Sequence, residues 1–157
     1  MTAWTQMESP IGTLCLVTDG RAVTGIRFDA DGDPGGRRDD THRVLVDART
    51  QLDAYFAGDL EEFDLPLSPS GTQFQRRVWQ ALTEIGYGHT ATYGQIAQRL
   101  GLVPGASRAV GLANGRNPIP VVIPCHRVIG SNGKLVGYGG GIDRKRALLN
   151  LESAALF

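Results

Sequence analysis

The chain has 157 residues, 41% of them hydrophobic, and a formal net charge of zero, so it has room for one ordinary domain or two small ones that share a core. Its two cysteines, Cys15 and Cys125, are far apart, and the chain has no Cys-x-x-Cys or Cys/His ligand spacing, which argues against a disulfide scaffold and a zinc ribbon. The N-terminus lacks the basic stretch and apolar core of a signal peptide, and no apolar run approaches the roughly 18 residues of a membrane span, so we expect a soluble cytoplasmic protein, nucleoid-associated if bacterial.

The zero net charge hides two halves of opposite sign, which separate at the loop 67–72. Residues 1–70 contain six basic and thirteen acidic residues, a net charge of −7, whereas residues 71–157 contain ten basic and three acidic residues, a net charge of +7. This segregation is typical of an acidic supporting half and a basic half that binds a polyanion. Simple attraction between the halves would give the same pattern, so charge alone leaves both interpretations open.

The first half begins with alternating, strand-like segments. Turn signals at Ser9-Pro10 and Asp19-Gly20 divide residues 2–28 into two or three antiparallel strands, and Cys15 is predicted to be a small core residue of one of them. The acidic, glycine-rich segment 29–42 is predicted to be a mobile loop. A helix follows, with one apolar face and Gly58 as its stop; its predicted buried residues are Val44, Ala48, Leu52 and Tyr55 or Phe56.

The second half has mainly helical patterns. Two capping boxes, Thr72 with Gln75 and Thr92 with Gln95, predict the starts of two helices, and the second helix is predicted to stop at Gly101. A short helix with Arg108 near its start follows, and the pair indicates a helix-turn-helix, although any two-helix hairpin would give this pattern. Its predicted buried residues are Ala106, Ala109, Val110 and Ala113. A last helix covers 143–152, with Asp143 as the expected N-cap.

The segment "NPIPVVIPCHRVIG", residues 117–130, raises the question of chemistry. Its three prolines exclude a helix interior and predict a rigid extended segment that ends at Cys125. A cysteine is nucleophilic as the thiolate, and a neighbouring imidazole or cation lowers its pKa. His126 follows directly, yet adjacent side chains of an extended chain point to opposite sides, so a turn or a bridging water is needed. Glu152 is the nearest acidic candidate to orient the histidine. A packed, inert cysteine remains the alternative from these residues alone.

Five segments together resemble the O6-alkylguanine-DNA alkyltransferase family, which repairs DNA by direct reversal. They are "TYGQIA" at 92–97, "SRAVGLANGRNP" at 107–118, "PCHRVIG" at 124–130, "GYGGG" at 137–141 and "RKRALLNLE" at 144–152. They occur in the family's order and spacing over nearly all of residues 72–152. "SPIG" at 9–12 and "LDAYFAG" at 52–58 extend the similarity more weakly to the first half.

The resemblance implies a role for ten residues. Cys125 matches the alkyl acceptor, His126 the histidine that reaches the thiol through a water, and Glu152 its carboxylate partner. The other matches are Asn117, which braces the active-site turn; Tyr93, near guanine N3 and a phosphate; Arg108, which enters the duplex where the base has left; Ser131, which contacts DNA; and Val128, Tyr138 and Gly139 in the substrate pocket. No metal and no cofactor is expected, because the first half offers only Cys15 and His42 as ligands of the zinc that some members hold.

The implied reaction is a methylated-DNA–protein-cysteine S-methyltransferase reaction that occurs once per molecule. The damaged nucleotide must leave the base stack to present its alkyl group, and contacts in the minor groove and to phosphates suit repair that ignores sequence. The thioether product has no easy hydrolytic exit, so Cys125 is not regenerated. We expect O6-alkylguanine, and O4-alkylthymine as well, in double-stranded DNA as the substrate of a protein that is monomeric off DNA and could cluster on it.

The resulting prediction is a two-domain α/β protein. Residues 1–70 form an acidic domain with a small antiparallel sheet and a helix, ribonuclease-H-like, and residues 71–157 form a basic, mostly helical, winged-helix-like domain that holds Cys125. Three other classes are weighed against it: a non-reactive lesion-binding relative, a helix-turn-helix regulator and a cysteine hydrolase. The lesion-binding relatives have tryptophan in place of the cysteine, so the residue at position 125 argues against that class.

Overall fold

The computed structural model describes residues 1–29, 34–103 and 105–153. The chain divides into two compact units, Met1–Ser70 and Gly71–Phe157. Within the described ranges, no helix has the length and apolar character needed to cross a bilayer.

The first unit is built on a four-stranded sheet with the strand order β3-β2-β1-β4. β1 (Ala3–Ser9), β2 (Gly12–Thr18) and β3 (Val23–Phe28) run antiparallel, joined by short turns. β1 buries alternate residues, as expected for a strand with one face on the core. β2 is buried at every position from Leu14 to Thr18, so both of its faces are covered over this stretch. Cys15, 3% exposed, is part of this core, as predicted.

The fourth strand corrects the prediction for the segment 29–42. Arg37–Arg38 forms a short strand, β4, that pairs parallel to β1, so the sheet is mixed and not purely antiparallel. Gly36, with φ +77°, precedes it, and a Cβ at this position would overlap the carbonyl of Thr2. Residues 30–33 of the expected loop lie outside the described residues.

A single long helix packs on this sheet. α1 (Arg43–Phe56) begins after His42, whose Nδ1 accepts a hydrogen bond from the Val44 N–H at 3.2 Å. Its buried face contacts β1, β2 and β3 and consists of Leu45, Ala48, Leu52 and Tyr55. Leu45 therefore takes the core position expected of Val44, which is half-buried. The chain leaves the helix through Gly58, with φ +82°.

In the second unit, α2 (Gln73–Leu82) and α3 (Tyr93–Arg99) both start with the capping boxes predicted from the sequence. In each box the threonine hydroxyl and the glutamine amide satisfy two backbone N–H groups that the helix leaves without partners. Trp79, 2% exposed, is a central core residue of this unit. Its indole N–H donates to the Ala113 carbonyl at 2.8 Å and so fixes α2 to the next helix.

α4 (Ser107–Gly115) follows α3 and packs against both α2 and α3, which gives the helix-turn-helix arrangement. Val110 and Ala113 are buried as predicted, but Ala106 is half-buried and Ala109 is exposed. Asn114 is buried in their place. The small alanines fit a helical period almost equally well on either side, so the pattern did not distinguish the core face from the solvent face.

The rest of the unit is a two-stranded parallel pair and a last helix. β5 (Ala91–Thr92) pairs with β6 (Val128–Ile129), and α5 (Ile142–Glu152) packs against the turn that precedes β6. The expected N-cap was wrong: Gly141 occupies that position. Asp143 lies in the first turn of α5 with its side chain fully exposed, paired with Arg146 at 3.3 Å.

Candidate active site

The three prolines predicted an extended segment before Cys125, and this prediction was wrong. In the structure the segment is a series of turns. Residues 119–123 are in turn and bend conformations, and the Ile123 N–H donates to the Ile119 carbonyl at 2.9 Å. Val121 has a φ of +73°, which is unfavourable for a β-branched residue. Proline excluded the helix but left turns allowed, so the correct conclusion from the sequence was only that the segment is not helical.

Asn117 holds this series of turns together from the end of α4. Its Nδ2 donates to the Ile123 carbonyl at 2.8 Å, and its Oδ1 accepts from the Ile119 N–H at 3.0 Å. The carboxamide therefore closes both ends of the turn that carries the strained Val121. Such a residue keeps its conformation only when its surroundings hold it, and Asn117 is one of the groups that do so.

Cys125 lies at the start of a 3-10 turn, Cys125–Arg127, between these turns and β6. It is 4% exposed, and its carbonyl accepts from the Asn114 amide at 3.3 Å. Burial raises the pKa of the Cys125 thiol to about 11, although a hydrogen bond from Asn117 and the charge of Lys145 act in the opposite direction. The resting group is therefore a thiol and not a thiolate.

His126 contacts Glu152 at the end of α5. Its Nε2 lies 2.7 Å from Glu152 Oε2, and both side chains are buried. Its Nδ1 is also buried and has no hydrogen-bond partner among residues 1–29, 34–103 and 105–153. Burial lowers the pKa of His126, with Glu152 opposing that shift and the cations of Arg127 and Lys145 adding to it. The histidine is thus a neutral base next to the cysteine in sequence.

Arg127 has a larger part in the site than its place beside Cys125 and His126 in the sequence indicated. Arg127 is 6% exposed. Its Nε donates to Glu152 Oε1 at 2.7 Å and its Nη2 to Glu152 Oε2 at 3.0 Å. Its Nη1 donates to the Ile85 carbonyl at 2.6 Å. The three residues Cys125–Arg127 therefore supply a thiol, a base and a cation, and Glu152 binds the last two.

Lys145 is a second residue that the sequence analysis did not predict. It is completely buried, and its Nζ donates to the carbonyl of Val128 and, at 2.7 Å, to the carbonyl of Val136. It thereby connects β6 to Val136, the residue before the glycine-rich segment 137–141. Burial lowers the pKa of Lys145 to about 8, while Cys125 acts to raise it.

Tyr93 and the glycine-rich segment form a further side of the site. The Tyr93 hydroxyl donates to the Val136 carbonyl at 3.1 Å. Gly137 has a φ of +61°, and a Cβ there would lie 3.1 Å from that hydroxyl, so any other residue would be strained at this position. Burial and the nearby Cys125 raise the pKa of Tyr93, and the same two causes raise that of Tyr138 further. Both phenols therefore lie close enough to Cys125 to interact with its charge.

The other predicted residues lie in different surroundings. Val128 has no exposed surface, so its side chain belongs to the core and does not line an open pocket. Ser131 and Gly139 are exposed, and Tyr138 is half-buried. Arg108 is exposed near the start of α4, and within the described part of the chain it makes none of the hydrogen bonds around Cys125 given above.

A groove of about 340 Å³ runs between the start of α2 and the exposed side of α4. Leu112, 64% exposed, and Arg116 lie on the α4 side, the same exposed helix face that carries Arg108 and Ala109. Thr72, Phe74 and Gln75 line the α2 side. Among the described residues, no group of three or more His, Cys, Asp or Glu side chains could hold a metal ion.

Two family models match consecutive parts of the chain. Residues 3–69 match the 6-O-methylguanine DNA methyltransferase, ribonuclease-like domain, and residues 73–154 match the 6-O-methylguanine DNA methyltransferase, DNA binding domain. The two matches meet where the charge changes sign and where the two compact units divide. They confirm the predicted fold class of a ribonuclease-like part followed by a helical DNA-binding part.

Relatives of known name match over nearly their whole length. A Mycobacterium tuberculosis protein named methylated-DNA–protein-cysteine methyltransferase is 53% identical over 153 residues, which is 94% of this chain and 90% of that protein. A Methanosarcina acetivorans protein of the same name is 50% identical over 155 residues, 94% of this chain and 96% of that protein. A crystal structure of the M. tuberculosis O6-methylguanine methyltransferase has a TM-score of 0.90 at 51% identity, covering 98% of this chain and 94% of that one.

A second structure, of the M. tuberculosis protein in complex with DNA, also has a TM-score of 0.90, at 52% identity, and covers 97% of this chain and 93% of that one. At that coverage the match includes residues of both units.

Proposed function

The chain belongs to the 6-O-methylguanine DNA methyltransferase family, and from that premise we propose that it repairs DNA by moving the alkyl group of O6-alkylguanine to Cys125. The observation that carries this proposal is the buried His126–Glu152 pair, 2.7 Å apart, with the histidine next to Cys125 in the chain. A packed, inert cysteine would not need a base that a carboxylate orients. The protein is a methyltransferase that binds DNA and reverses the damage directly.

The base has a clear task, because the resting thiol is protonated. With a pKa of about 11, only about one molecule in 10⁴ carries a thiolate at pH 7. His126 is neutral, and its Nδ1, which has no hydrogen-bond partner among the residues that the structure describes, can accept a proton. The side chain points towards Glu152, so the proton reaches Nδ1 through a water molecule. Transfer of the proton during the reaction avoids a separately formed thiolate in a buried site.

The bonds and protons of the reaction balance without a cofactor. The S–H bond of Cys125 breaks and its proton passes to His126, a carbon–sulfur bond forms, and the carbon–oxygen bond breaks with its electron pair left on guanine. Tyr93 donates a hydrogen bond to the departing base, which takes up one proton from solvent to become normal guanine, while His126 releases the proton of Cys125 to solvent. The product is a thioether, which water does not cleave readily, so each molecule acts once.

The DNA side of the proposal rests on the exposed face of α4. Arg108, Leu112 and Arg116 share this face. We assign the face to the minor groove, with Arg108 filling the place of the extruded nucleotide and so offsetting part of the cost of unstacking it. Ser131 is the further DNA contact. The +7 charge of residues 71–157 supplies attraction to the phosphates that does not depend on sequence.

The substrate pocket is assigned to Tyr138, Gly139 and the main chain at Val128. Gly139 is exposed, and a Cβ there would meet only the Gly115 carbonyl at 3.6 Å, an ordinary contact, so this edge of the site leaves room for groups larger than methyl. O4-alkylthymine is a second substrate, because it also presents an alkyl group on a base oxygen for transfer to Cys125. The range of alkyl groups that the pocket accepts is measured by comparing the repair rates of O6-methylguanine and O6-benzylguanine in DNA. A benzyl rate far below the methyl rate would contradict a roomy pocket.

The decisive test is the mass of the intact protein after incubation with DNA that contains O6-methylguanine. We expect a gain of one methyl group, saturating at one equivalent and located on the Cys125 peptide. The Cys125→Ser variant should gain nothing. The Cys15→Ser variant is the matched control, because it removes the other buried thiol and should react normally.

The same experiment separates the other classes of protein. A lesion-binding protein would bind the modified DNA without a gain in mass, and a cysteine hydrolase would turn over repeatedly and would not need DNA. A regulator would bind one sequence far better than others. Sedimentation with and without DNA tests the remaining part of the proposal, a monomer in free solution that clusters on DNA.

A further inference from the structure

Glu152 is shared by two buried partners. Its Oε2 lies 2.7 Å from His126 Nε2, and both of its oxygens accept hydrogen bonds from the guanidinium of Arg127, at 2.7 Å and 3.0 Å. The exposed fractions of the His126, Arg127 and Glu152 residues are 0%, 6% and 6%. This fork is the geometry in which arginine binds a carboxylate most specifically, and here it occupies the carboxylate that orients the base.

The guanidinium is itself held at its other end. Arg127 Nη1 donates to the Ile85 carbonyl at 2.6 Å, just after the end of α2. The guanidinium carbon also lies 5.8 Å from the centre of the Tyr87 ring, within range of a cation–π contact. Arg127 therefore connects the chain after α2 with the end of α5, and Glu152 cannot rotate without breaking the fork.

This geometry determines where the proton of His126 lies. An arginine guanidinium is a permanent cation with donors only, so both Glu152 oxygens that it binds act as acceptors. A 2.7 Å contact between Oε2 and Nε2 then requires the hydrogen to be on Nε2. In the neutral ring, Nδ1 consequently carries the lone pair, and Nδ1 is the nitrogen that has no hydrogen-bond partner in the described part of the chain.

We propose that Arg127 is a positioning residue of the transfer reaction, which through Glu152 fixes His126 in the Nε2–H tautomer and keeps the ring neutral until it accepts the Cys125 proton. The proposal rests on the proposed function only in that last step. Arg127 does not touch the reacting atoms. It acts by occupying Glu152, which would otherwise stabilise a charged imidazolium in the resting protein.

The other charged and titratable groups near the ring act in both directions. Lys145 on α5 is a cation that disfavours the imidazolium, as Arg127 does, and Glu152 favours it. Cys125 precedes the ring in the same turn. Tyr138 lies near enough to Cys125 and Glu152 for electrostatic interaction with both. Removing Arg127 takes away a cation that disfavours the imidazolium, so the ring should gain a proton more easily. It also removes the fork that holds Glu152 in place, so the carboxylate can turn away from Nε2 and the ring loses its preference for the Nε2–H form.

The test is nitrogen-15 NMR of the histidine rings in the full-length protein without DNA. The chain contains three histidines, His42, His89 and His126, so a His126→Gln variant identifies the signal. In the unchanged protein we expect His126 as the neutral Nε2–H tautomer from about pH 6 to pH 8. In Arg127→Gln we expect its titration to move to higher pH and the Nδ1–H form to appear. Arg127→Lys keeps the charge and loses the fork. We therefore expect the pH at which His126 titrates to return towards that of the unchanged protein, and the Nε2–H form to return less completely.

Arg99→Gln is the matched control, because Arg99 pairs with Glu84 at 3.8 Å on the surface and should change neither observable. The rate of a single alkyl transfer supplies the second readout. In Arg127→Gln the rate should fall about tenfold or more near pH 6.5 and recover as the pH rises, because the protonated fraction of His126 then decreases.

Two results would overturn the proposal. An Nδ1–H tautomer in the unchanged protein would do so without any variant. An Arg127→Gln or Arg127→Lys protein that melts earlier but keeps the same tautomer, titration and pH–rate profile would show a purely structural role. If Arg127→Gln does not fold, the proposal is decided by the tautomer of His126 in the unchanged protein and by its tautomer and titration in the Arg127→Lys protein. The expected NMR result without any alkyl transfer would refute the proposed function and leave the role of Arg127 in the proton arrangement standing.

Discussion

The ammonium of Lys145 donates a hydrogen bond to the carbonyl of Val136 at 2.7 Å from a completely buried position. A lysine rarely lies in a protein core, and this one has a second carbonyl, that of Val128, as its other acceptor. Val128 lies on β6 and Val136 lies just before the glycine-rich segment 137–141. Lys145 therefore connects the two segments that flank the site. Burial of its charge is costly, and the two hydrogen bonds compensate for part of that cost.

The first prediction concerns the pH dependence of stability at Lys145. Its pKa in the folded protein is about 8, below the usual value near 10.4, so between these values the unfolded chain binds more protons than the folded one. The lysine contribution to the free energy of unfolding therefore rises with pH through this window. Lys145→Met removes that contribution and leaves two carbonyls without their donor. We expect the variant to be less stable, and the deficit to be larger at pH 9.5 than at pH 7.

Urea unfolding at the two pH values measures this difference. Cys15 also titrates in the alkaline range, but it is present in both proteins, so its contribution largely cancels. The pKa of Cys125 depends on Lys145, so both proteins are compared in a Cys125→Ser background. If the variant loses the same amount of unfolding free energy at pH 7 and at pH 9.5, the pKa of Lys145 is not lowered in the folded protein.

The second prediction concerns the thiol itself. Burial raises the pKa of Cys125 to about 11, so a small electrophile should modify it very slowly at neutral pH. In a Cys15→Ser background, the rate of reaction with iodoacetamide should rise about tenfold per pH unit from pH 7 to pH 10. A half-maximal rate near pH 7 would mean that a stable thiolate exists at rest, and that His126 is not needed as a base.

The third prediction separates base extrusion from alkyl transfer. Arg108→Ala should lower the rate of repair in duplex DNA by about 10- to 100-fold, since extrusion costs a few kcal/mol that the arginine offsets in part. The reaction with free O6-benzylguanine should be unchanged, because it requires no extrusion. Arg146→Ala, which removes an exposed arginine of α5 paired with Asp143, is the control and should affect both reactions little. Equal losses with duplex and free base would place Arg108 in another role.

The fourth prediction concerns Asn117. Asn117→Ala removes the donor to the Ile123 carbonyl and the acceptor for the Ile119 N–H, which leaves groups of the turn without partners. We expect a loss of about 1–3 kcal/mol in the free energy of unfolding and slower alkyl transfer, because Asn117 also lowers the pKa of Cys125. Asn132→Ala, at an exposed turn, should stay within about 0.5 kcal/mol of the parent. A normal transfer rate with reduced stability would limit Asn117 to a structural role.

The sequence predicted best what depends on neighbouring residues. The two capping boxes at Thr72 and Thr92 were found because each is complete within four residues and satisfies its own helix end. The strands β1 to β3 were found from alternation and turn residues. Asp143 was chosen as a cap by residue type alone, whereas α5 begins one residue earlier, after Gly141.

The site was harder to predict, because its groups meet through the fold. Glu152 was identified by its position on the last helix and by the resemblance, but Arg127 and Lys145 were not assigned their partners. Lys145, Leu148, Leu149 and Glu152 repeat with helical spacing and are all buried, so the pattern contained two charged residues on a core face. Their burial depends on partners from other elements, at Ile85, Val128 and Val136, which no local pattern can supply.

The two tryptophans of the chain give each unit its own fluorescent reporter. Trp79, 2% exposed and bonded to Ala113, reports on the unit that holds Cys125, and Trp4, on β1 with Arg38 at 5.5 Å from its ring centre, reports on the other. Replacing either one by phenylalanine leaves a single emitter. Unfolding of the two units can then be followed separately in the same chain, and the fluorescence will show whether they melt in one transition or in two.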